Sequence, residues 1–174
     1  MNKLINILIF GLILFVNVFA QDYNTIITDE ESGKPMLIGF TTLKAFKDTS
    51  FSWWWNSEYD MYTVDSNTVA SLSKQMEDID LTVVMGTWCS DSRREVPRFY
   101  KLLDKINYPS DKVILINVNR DKHGLADEVD SLKIDFVPTF IFSKDGKELG
   151  RIVESPYESL EKDMLEILRG DKSK

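Results

Sequence analysis

Apolar residues recur along the chain in two patterns, and each pattern predicts a different kind of element. A spacing of three to four residues predicts an amphipathic helix over 66–78, and it recurs after residue 89 to predict a second helix. Continuous apolar runs at 81–85 and 112–118 predict strands that are buried on both faces. The apolar positions of the two helices are Val69, Leu72, Met76 and Ile79, and then Val96, Phe99, Leu103 and Ile106.

The C-terminal third predicts a hairpin and a final helix. Short apolar strands at 139–142 and 151–153 flank Asp145-Gly146, a dipeptide that is typical of a tight hairpin turn. The stretch Ser155-Pro156-Tyr157-Glu158 has the spacing of a capping box, so we expect its serine to be the N-cap of the last helix. Between 125 and 132 we expect a helical turn or two.

The order of these elements predicts an α/β domain. A strand–helix–strand unit followed by a hairpin favours a mixed sheet with helices on both faces. The pattern is weaker in residues 21–64, where 36–40 is a candidate strand and the aromatic-rich stretch 51–62 has no clean period. We therefore expect the domain at 65–174, with 21–64 as an N-terminal extension packed on it.

The first twenty residues have the features of a secretory signal peptide. Lys3 precedes an almost wholly apolar run from Leu4 to Val16, and Val18-Phe19-Ala20 is a small-residue cleavage site. The apolar run is shorter than the roughly 20 residues that cross a bilayer. We expect cleavage after residue 20 and export to the periplasm. The alternative is an uncleaved N-terminal anchor, which is the one membrane contact that the sequence suggests.

The charge and the single cysteine narrow the classes of function. The 174 residues carry a net charge of −7 without a basic cluster, which argues against nucleic acid as a partner. Cys89 is the only cysteine and therefore cannot form an internal disulfide. His123 is the only histidine, and one Cys and one His far apart in sequence do not make a zinc site. We expect neither a metal nor a cofactor, and we expect His123 on a surface loop.

The stretch GTWCSDS at 86–92 resembles the W-C-x-x-C turn of the thioredoxin family. In both, the cysteine lies between a buried strand and a helix. Pro97 falls where that helix commonly has a kinking proline in the family, and Val137-Pro138-Thr139 matches the family's cis-proline element. The resemblance covers about residues 65–170. It implies a thioredoxin-like fold, in which helices flank a central mixed β-sheet, here with an N-terminal extension.

The resemblance also implies a site and its partners. Trp88, Val137 and Pro138 would bind the substrate, and the partners would be protein or small-molecule thiols and disulfides. The chain departs from the redox pattern at Ser92, which replaces the second, resolving cysteine, and at Val83, which replaces a buried acid that assists that thiol.

Read literally, this turn is monothiol. Cys89 could attack a disulfide and form a mixed disulfide, but it would need the substrate's freed thiol or an outside thiol for release. The resemblance therefore implies a monothiol oxidoreductase with Cys89 as the catalytic nucleophile and Ser92 as its hydrogen-bonding neighbour.

The position of Cys89 favours a reactive thiol. Unpaired backbone N–H groups and the helix dipole at a helix N-terminus stabilise an anion. Thiols in such places can have pKa values of about 3.5–7.5, compared with about 8.5 for a free cysteine. Arg93 and Arg94 add positive charge nearby, whereas Asp91 opposes ionisation.

Several alternatives remain open. Cys89 is a buried, inert thiol in one of them, and the chain is then a redox-inactive module that binds partner proteins without turnover. A third function class is a structural protein that assembles through residues 21–64. Pro138 is an ordinary trans proline if the resemblance fails there. Trp53-Trp54-Trp55 cannot share one face of a helix or strand, so we expect at least one exposed ring, and packing of the extension is favoured over a binding platform.

Overall fold

A six-stranded mixed sheet is the centre of the fold. The computed structural model describes residues 23–170, so the predicted signal peptide at 1–20 lies outside the described residues. The strands are β1 (Thr25–Thr28), β2 (Pro35–Thr41), β3 (Asp80–Met85), β4 (Val113–Asn117), β5 (Thr139–Lys144) and β6 (Lys147–Val153). Their order in the sheet is β1-β2-β4-β3-β5-β6. The β3–β4 pair is parallel, and the other neighbouring pairs are antiparallel.

The α-helices of residues 23–170 are α1 (Thr49–Met61), α2 (Ser66–Gln75), α3 (Ser90–Lys105) and α4 (Leu160–Arg169), and short 3-10 helices lie at Leu43–Lys47 and Ser110–Lys112. The predicted mixed α/β architecture is therefore confirmed. The first predicted helix ends at Gln75 rather than at residue 78, because Met76 leaves helical geometry and Asp78 has a φ of 60°. Over the same residues, each helix is too short or too polar to cross a membrane.

The larger core lies on one face of the sheet, and α1, α2, α3 and α4 all contribute side chains to it. Leu81, Val83 and Met85 belong to this core, whereas the intervening Val84 belongs to a second cluster. That division follows from the alternation of side chains along a strand. The second cluster receives no residue from within the four helices. The prediction of helices on both faces is therefore wrong.

The second face is covered by the chain between β4 and β5 instead. Residues 118–138 contain turns but no helix. At 125–132, where a helical turn or two was expected, the Asp130 and Leu132 N–H groups donate to the Asp127 and Val129 carbonyls in isolated turns, and the positive φ of Lys133 prevents a helix from continuing. The segment still contributes buried Val129 to the second cluster.

The N-terminal segment is part of the sheet and of the core. The hairpin of β1 and β2 joins the sheet through antiparallel pairing of β2 with β4. Trp54 in α1 is buried, and Trp55 stacks on Phe46 with ring centroids 4.0 Å apart. Trp53 is 66% exposed, which confirms that the three consecutive tryptophans do not share a face. Two of the three rings therefore serve packing.

The C-terminal hairpin is confirmed, but the predicted helix cap is wrong. Asp145 and Gly146 have φ values of 51° and 73°, as a tight hairpin turn requires at both central positions. Helix α4 has Ser159 as its N-cap, and the Ser159 side chain accepts a hydrogen bond from the Lys162 N–H. Ser155 lies outside the helix, where its hydroxyl accepts a hydrogen bond from Arg94 at 2.8 Å.

The observed cap can be tested against the predicted one by two serine substitutions. We expect Ser159→Ala to lower the free energy of unfolding by about 1 kcal/mol, because a backbone N–H of the first turn loses its acceptor. We expect a smaller loss for Ser155→Ala, whose hydroxyl contacts an exposed arginine side chain. Urea unfolding of both variants measures the difference. A larger loss for Ser155→Ala would contradict the assignment.

Candidate functional site

Cys89 is the N-cap of α3, and its thiol faces the start of β5. The backbone at Cys89 is extended, with φ −83° and ψ 131°, and its N–H donates to the Gly86 carbonyl at 2.9 Å. The side chain is half-buried, and the thiol donates a hydrogen bond to the Val137 carbonyl at 3.2 Å. The sulfur therefore lies between the first turn of a helix and the backbone of a neighbouring strand.

The Val137–Pro138 peptide bond is cis, as the resemblance implied. The Pro138 carbonyl accepts a hydrogen bond from the Glu154 N–H at 2.7 Å, and the Thr139 hydroxyl donates to the Phe136 carbonyl at 2.7 Å. Val137 is buried, whereas Phe136 is 54% exposed beside it. The backbone that contacts the thiol is thus fixed on both sides.

Ser92 lies one turn after Cys89 and is fully buried. Its hydroxyl oxygen accepts a hydrogen bond from the Gly86 N–H at 3.2 Å. The thiol donates to Val137 rather than to Ser92 in this structure. The Ser92 hydroxyl therefore joins the first turn of α3 to the loop that precedes Cys89, and a hydrogen bond from Ser92 to a thiolate stays a prediction.

Trp88 is positioned by contacts on its edge and on its face. Its indole N–H donates to the Val118 carbonyl at 2.9 Å, and the Arg120 guanidinium lies 5.1 Å from the ring centroid. A Cβ atom at Gly86 would clash with the Trp88 indole, so the close approach of the ring requires glycine there. The ring is thus held against the loop that carries Cys89.

Arg120 is anchored by a buried aspartate of the N-terminal hairpin. Its Nε and Nη2 atoms donate to the two carboxylate oxygens of Asp29 at 2.9 Å and 2.8 Å. Asp29 is 2% exposed and also accepts a hydrogen bond from Ser32. The Arg120 guanidinium, followed by the Ser32 hydroxyl, holds the pKa of the Asp29 carboxyl well below its usual range. We call Asp29, Arg120 and Trp88 together the hairpin clamp.

The two arginines that follow Cys89 have different surroundings. Arg93 is partly buried, and its Nε atom donates to the carbonyl of Thr87 in the loop before Cys89. Burial lowers the pKa of Arg93, and the charge of a Cys89 thiolate would oppose that shift. Arg94 instead forms ion pairs with Asp91 at 2.7 Å and with Glu95 at 2.6 Å. Arg93 is therefore the arginine that braces the thiol loop.

The hairpin clamp was not predicted from the sequence. Arg120 follows the predicted strand 112–118, and the ends of parallel strands meet at one edge of a sheet, so its proximity to Trp88 could have been inferred. Asp29 gave no comparable signal, because the pairing of β2 with β4 was not predicted.

His123 is exposed in the turn that follows β4, as expected. Within residues 23–170, no cluster of three His, Cys, Asp or Glu residues could hold a metal ion.

Comparisons with known proteins find relatives of this chain in one family. The thioredoxin family model matches residues 61–166. A thioredoxin-like protein of Acanthamoeba polyphaga mimivirus is 30% identical over 111 residues, which cover 64% of this chain and 77% of that protein. An H-type thioredoxin of Picea mariana is 31% identical over 90 residues, covering 52% of this chain and 65% of its own. The solved Fasciola hepatica thioredoxin is 25% identical, with a TM-score of 0.34, over 48% of this chain and 79% of its own.

The hairpin clamp predicts a loss of stability when Asp29 loses its charge. We expect Asp29→Asn to lower the free energy of unfolding by about 2 kcal/mol near neutral pH, because a buried charge-assisted pair is broken while Arg120 stays partly exposed. The matched control is Glu31→Gln, since Glu31 also pairs with Arg120, at 3.0 Å, but is 71% exposed. We expect a much smaller loss for the control.

The loss from Asp29→Asn should also depend on pH. Because the folded-state pKa of Asp29 is lowered, its carboxylate stabilises the fold fully above the unfolded pKa, which is about 4, and less as the pH falls towards the folded value. The difference between the wild type and Asp29→Asn should therefore shrink below about pH 4. Urea unfolding at several pH values measures it. A difference that is independent of pH would contradict the clamp.

Proposed function

This chain belongs to the thioredoxin family, and we propose that it is an exported thiol–disulfide oxidoreductase of the monothiol type. Membership of the family supports a thioredoxin-type redox function with protein thiols or disulfides as partners. The monothiol route has its main support in one arrangement. The only cysteine of the chain lies at the N-terminus of α3 against the carbonyl before a cis-proline, and a buried serine occupies the resolving position.

The first step of the proposed reaction is attack by the Cys89 thiolate on a substrate disulfide. A bond forms between Cys89 Sγ and one substrate sulfur, and the substrate S–S bond breaks. The other substrate sulfur leaves as a thiolate, so one disulfide is exchanged for another and no net electrons are transferred. The backbone N–H groups of the first turn of α3 favour the attacking anion.

The second step needs a thiol from outside the chain. Ser92 cannot attack the mixed disulfide, because a hydroxyl does not form a disulfide bond. A low-molecular-weight thiol such as glutathione attacks the substrate sulfur, regenerates the Cys89 thiolate and leaves the substrate as a mixed disulfide with that thiol. A second thiol completes the reduction. Alternatively, the substrate's own freed thiolate attacks, and the substrate disulfide is rearranged.

The substrate-binding surface that we propose consists of Trp88, Val137 and Pro138. Val137 and Cys89 are in direct contact, and the hairpin clamp holds Trp88 in place. The exposed Phe136 ring adds apolar surface at the same edge. A substrate segment in extended conformation beside the reacting cysteine would therefore contact the Val137–Pro138 backbone and the apolar ring of Phe136.

Turnover tests the proposal. In the presence of reduced glutathione, we expect the wild type to accelerate the reduction of insulin disulfides, and we expect Cys89→Ser to remove this acceleration completely. Release of the insulin B chain measures the rate. No acceleration by the wild type, with equal binding of a client protein by the wild type and Cys89→Ser, would contradict the redox proposal and favour a binding module without turnover.

A pair of serine substitutions tests the monothiol assignment. We expect Ser92→Cys to shorten the lifetime of the mixed disulfide at Cys89, because the new thiol can resolve it. The matched control is Ser90→Cys, which adds a thiol at an exposed position directly after Cys89 rather than one helical turn away. Intact-mass spectrometry after rapid acid quenching measures the lifetime. An equal lifetime in Ser92→Cys and the wild type would contradict the assignment.

The proposed export is tested separately. When the full chain is expressed in a Gram-negative bacterium, we expect it in the periplasmic fraction with Gln21 as its N-terminal residue. N-terminal sequencing decides this. A protein that keeps Met1 and fractionates with the membrane would support the uncleaved anchor instead.

A further inference from the structure

A cavity of about 750 Å³ lies beside the end of β2 and the start of β4, away from Cys89. Cys89 follows the C-terminal end of β3, and β4 runs parallel to β3, so the first residues of β4 lie at the opposite end of the sheet. The size is that of pockets that bind small molecules, which are about 300–1,000 Å³. The residues that line it include Phe40, Lys44, Tyr100, Lys112, Ile114 and Leu115.

The walls of the cavity are mainly apolar and partly aromatic. Phe40 and Tyr23 pack with ring centroids 6.1 Å apart, and both line the cavity. Ile114 is 49% exposed and pairs only with β3, because the pairing of β2 with β4 ends at Leu115. A large exposed apolar side chain in a concave wall favours an apolar occupant with a flat shape.

Tyr100 supplies an unused hydrogen-bonding group. It lines the cavity from α3, it is 2% exposed, and its ring packs 5.5 Å from Trp55. Its hydroxyl has no hydrogen bond to any of the residues 23–170, and burial alone raises its pKa. Within those residues, Asn117 Oδ1 is the one fully buried side-chain nitrogen or oxygen atom that has no hydrogen-bond partner. The Tyr100 hydroxyl also has no partner, so it is not fully buried, and the small exposed part of Tyr100 includes it. Buried tyrosine hydroxyls usually have a partner.

Two lysines give the cavity a positive rim. Lys44 and Lys112 are exposed and line it, and neither forms an ion pair with another described residue. Asp111 is the acidic residue among the lining residues, so one positive charge remains in excess. An anionic group at the rim would therefore be attracted.

We propose that this cavity binds a small aromatic acid that carries an oxygen at the end remote from its carboxylate. The ring packs over Phe40 and Ile114 on the second face, and the carboxylate meets Lys44 and Lys112 at the rim. The pairing of β2 with β4 ends at Leu115, so the remote oxygen extends past the unpaired edge of β4 and accepts a hydrogen bond from Tyr100 on the first face. Charge, shape and hydrogen bonding thus define one ligand class. This site is separate from Cys89 and needs no redox step.

Three matched probes test the proposal: 6-hydroxy-2-naphthoate, 2-naphthoate and 2-naphthol. Titration followed by ¹H–¹⁵N NMR should give saturable shifts at Leu43, Ile114 and Leu115, with little change at Trp88 and Cys89. We expect 6-hydroxy-2-naphthoate to bind roughly threefold to tenfold more tightly than 2-naphthoate, because only the former reaches Tyr100 with an oxygen.

Variants separate the two polar contacts. Tyr100→Phe should remove the preference for 6-hydroxy-2-naphthoate over 2-naphthoate. Replacement of Lys44 and Lys112 by Met should weaken both acids roughly tenfold and leave 2-naphthol unchanged. Lys47→Met is the matched control, because Lys47 lies on the same 3-10 helix as Lys44 but does not line the cavity.

Three results would overturn the proposal. They are the absence of saturable binding, equal affinities of the wild type for 2-naphthoate and 2-naphthol, and shifts that centre on Cys89 instead of β4. If Tyr100→Phe fails to fold, the affinities of the wild type for 6-hydroxy-2-naphthoate and 2-naphthoate still test the hydrogen bond to Tyr100. Equal affinities for these two acids would contradict that hydrogen bond.

Discussion

The central position of β3 in the sheet determines where the proposed chemistry can occur. Because β3 pairs parallel with β4 and antiparallel with β5, the end of β3, the end of β4 and the start of β5 meet at one edge. Cys89 follows β3, and the cis Val137–Pro138 bond precedes β5. The contact between the thiol and the Val137 carbonyl is therefore a consequence of strand pairing, and helix α3 adds its N-terminal N–H groups at the same point.

The N-terminal hairpin completes this edge. Since β2 runs antiparallel to β4, the start of β2 lies beside the end of β4, and the turn that carries Asp29 reaches Arg120. A buried, doubly hydrogen-bonded carboxylate then holds the guanidinium over Trp88. The same antiparallel pairing leaves the end of β2 beside the start of β4, where the cavity opens. One strand pair thus shapes both ends of the sheet.

Predictions from the sequence were correct where the structure of an element depends on its own residues and their neighbours in the chain. The apolar run of β3 and the Asp145-Gly146 turn were predictable because strand burial and hairpin turns depend on adjacent residues. The failures depended on distant partners. The prediction that Ser155 caps α4 failed because Ser159 is the N-cap, while the Ser155 hydroxyl accepts a hydrogen bond from the distant Arg94. The contact of Asp29 with Arg120 could not be predicted for the same reason, because the two residues are 91 positions apart in the sequence.

The claim that the fold makes Cys89 a reactive monothiol is tested most directly by its rate of reaction with a disulfide. That rate would be compared between the folded and the unfolded chain. Intact-mass spectrometry would follow the reaction with oxidised glutathione in buffer and in concentrated urea. We predict that folded Cys89 reacts faster than the unfolded chain. With oxidised glutathione in excess over the glutathione that the reaction releases, the single adduct should persist until an excess of thiol is added. Slower reaction in the folded protein would contradict a reactive monothiol and identify Cys89 as an inert, buried thiol.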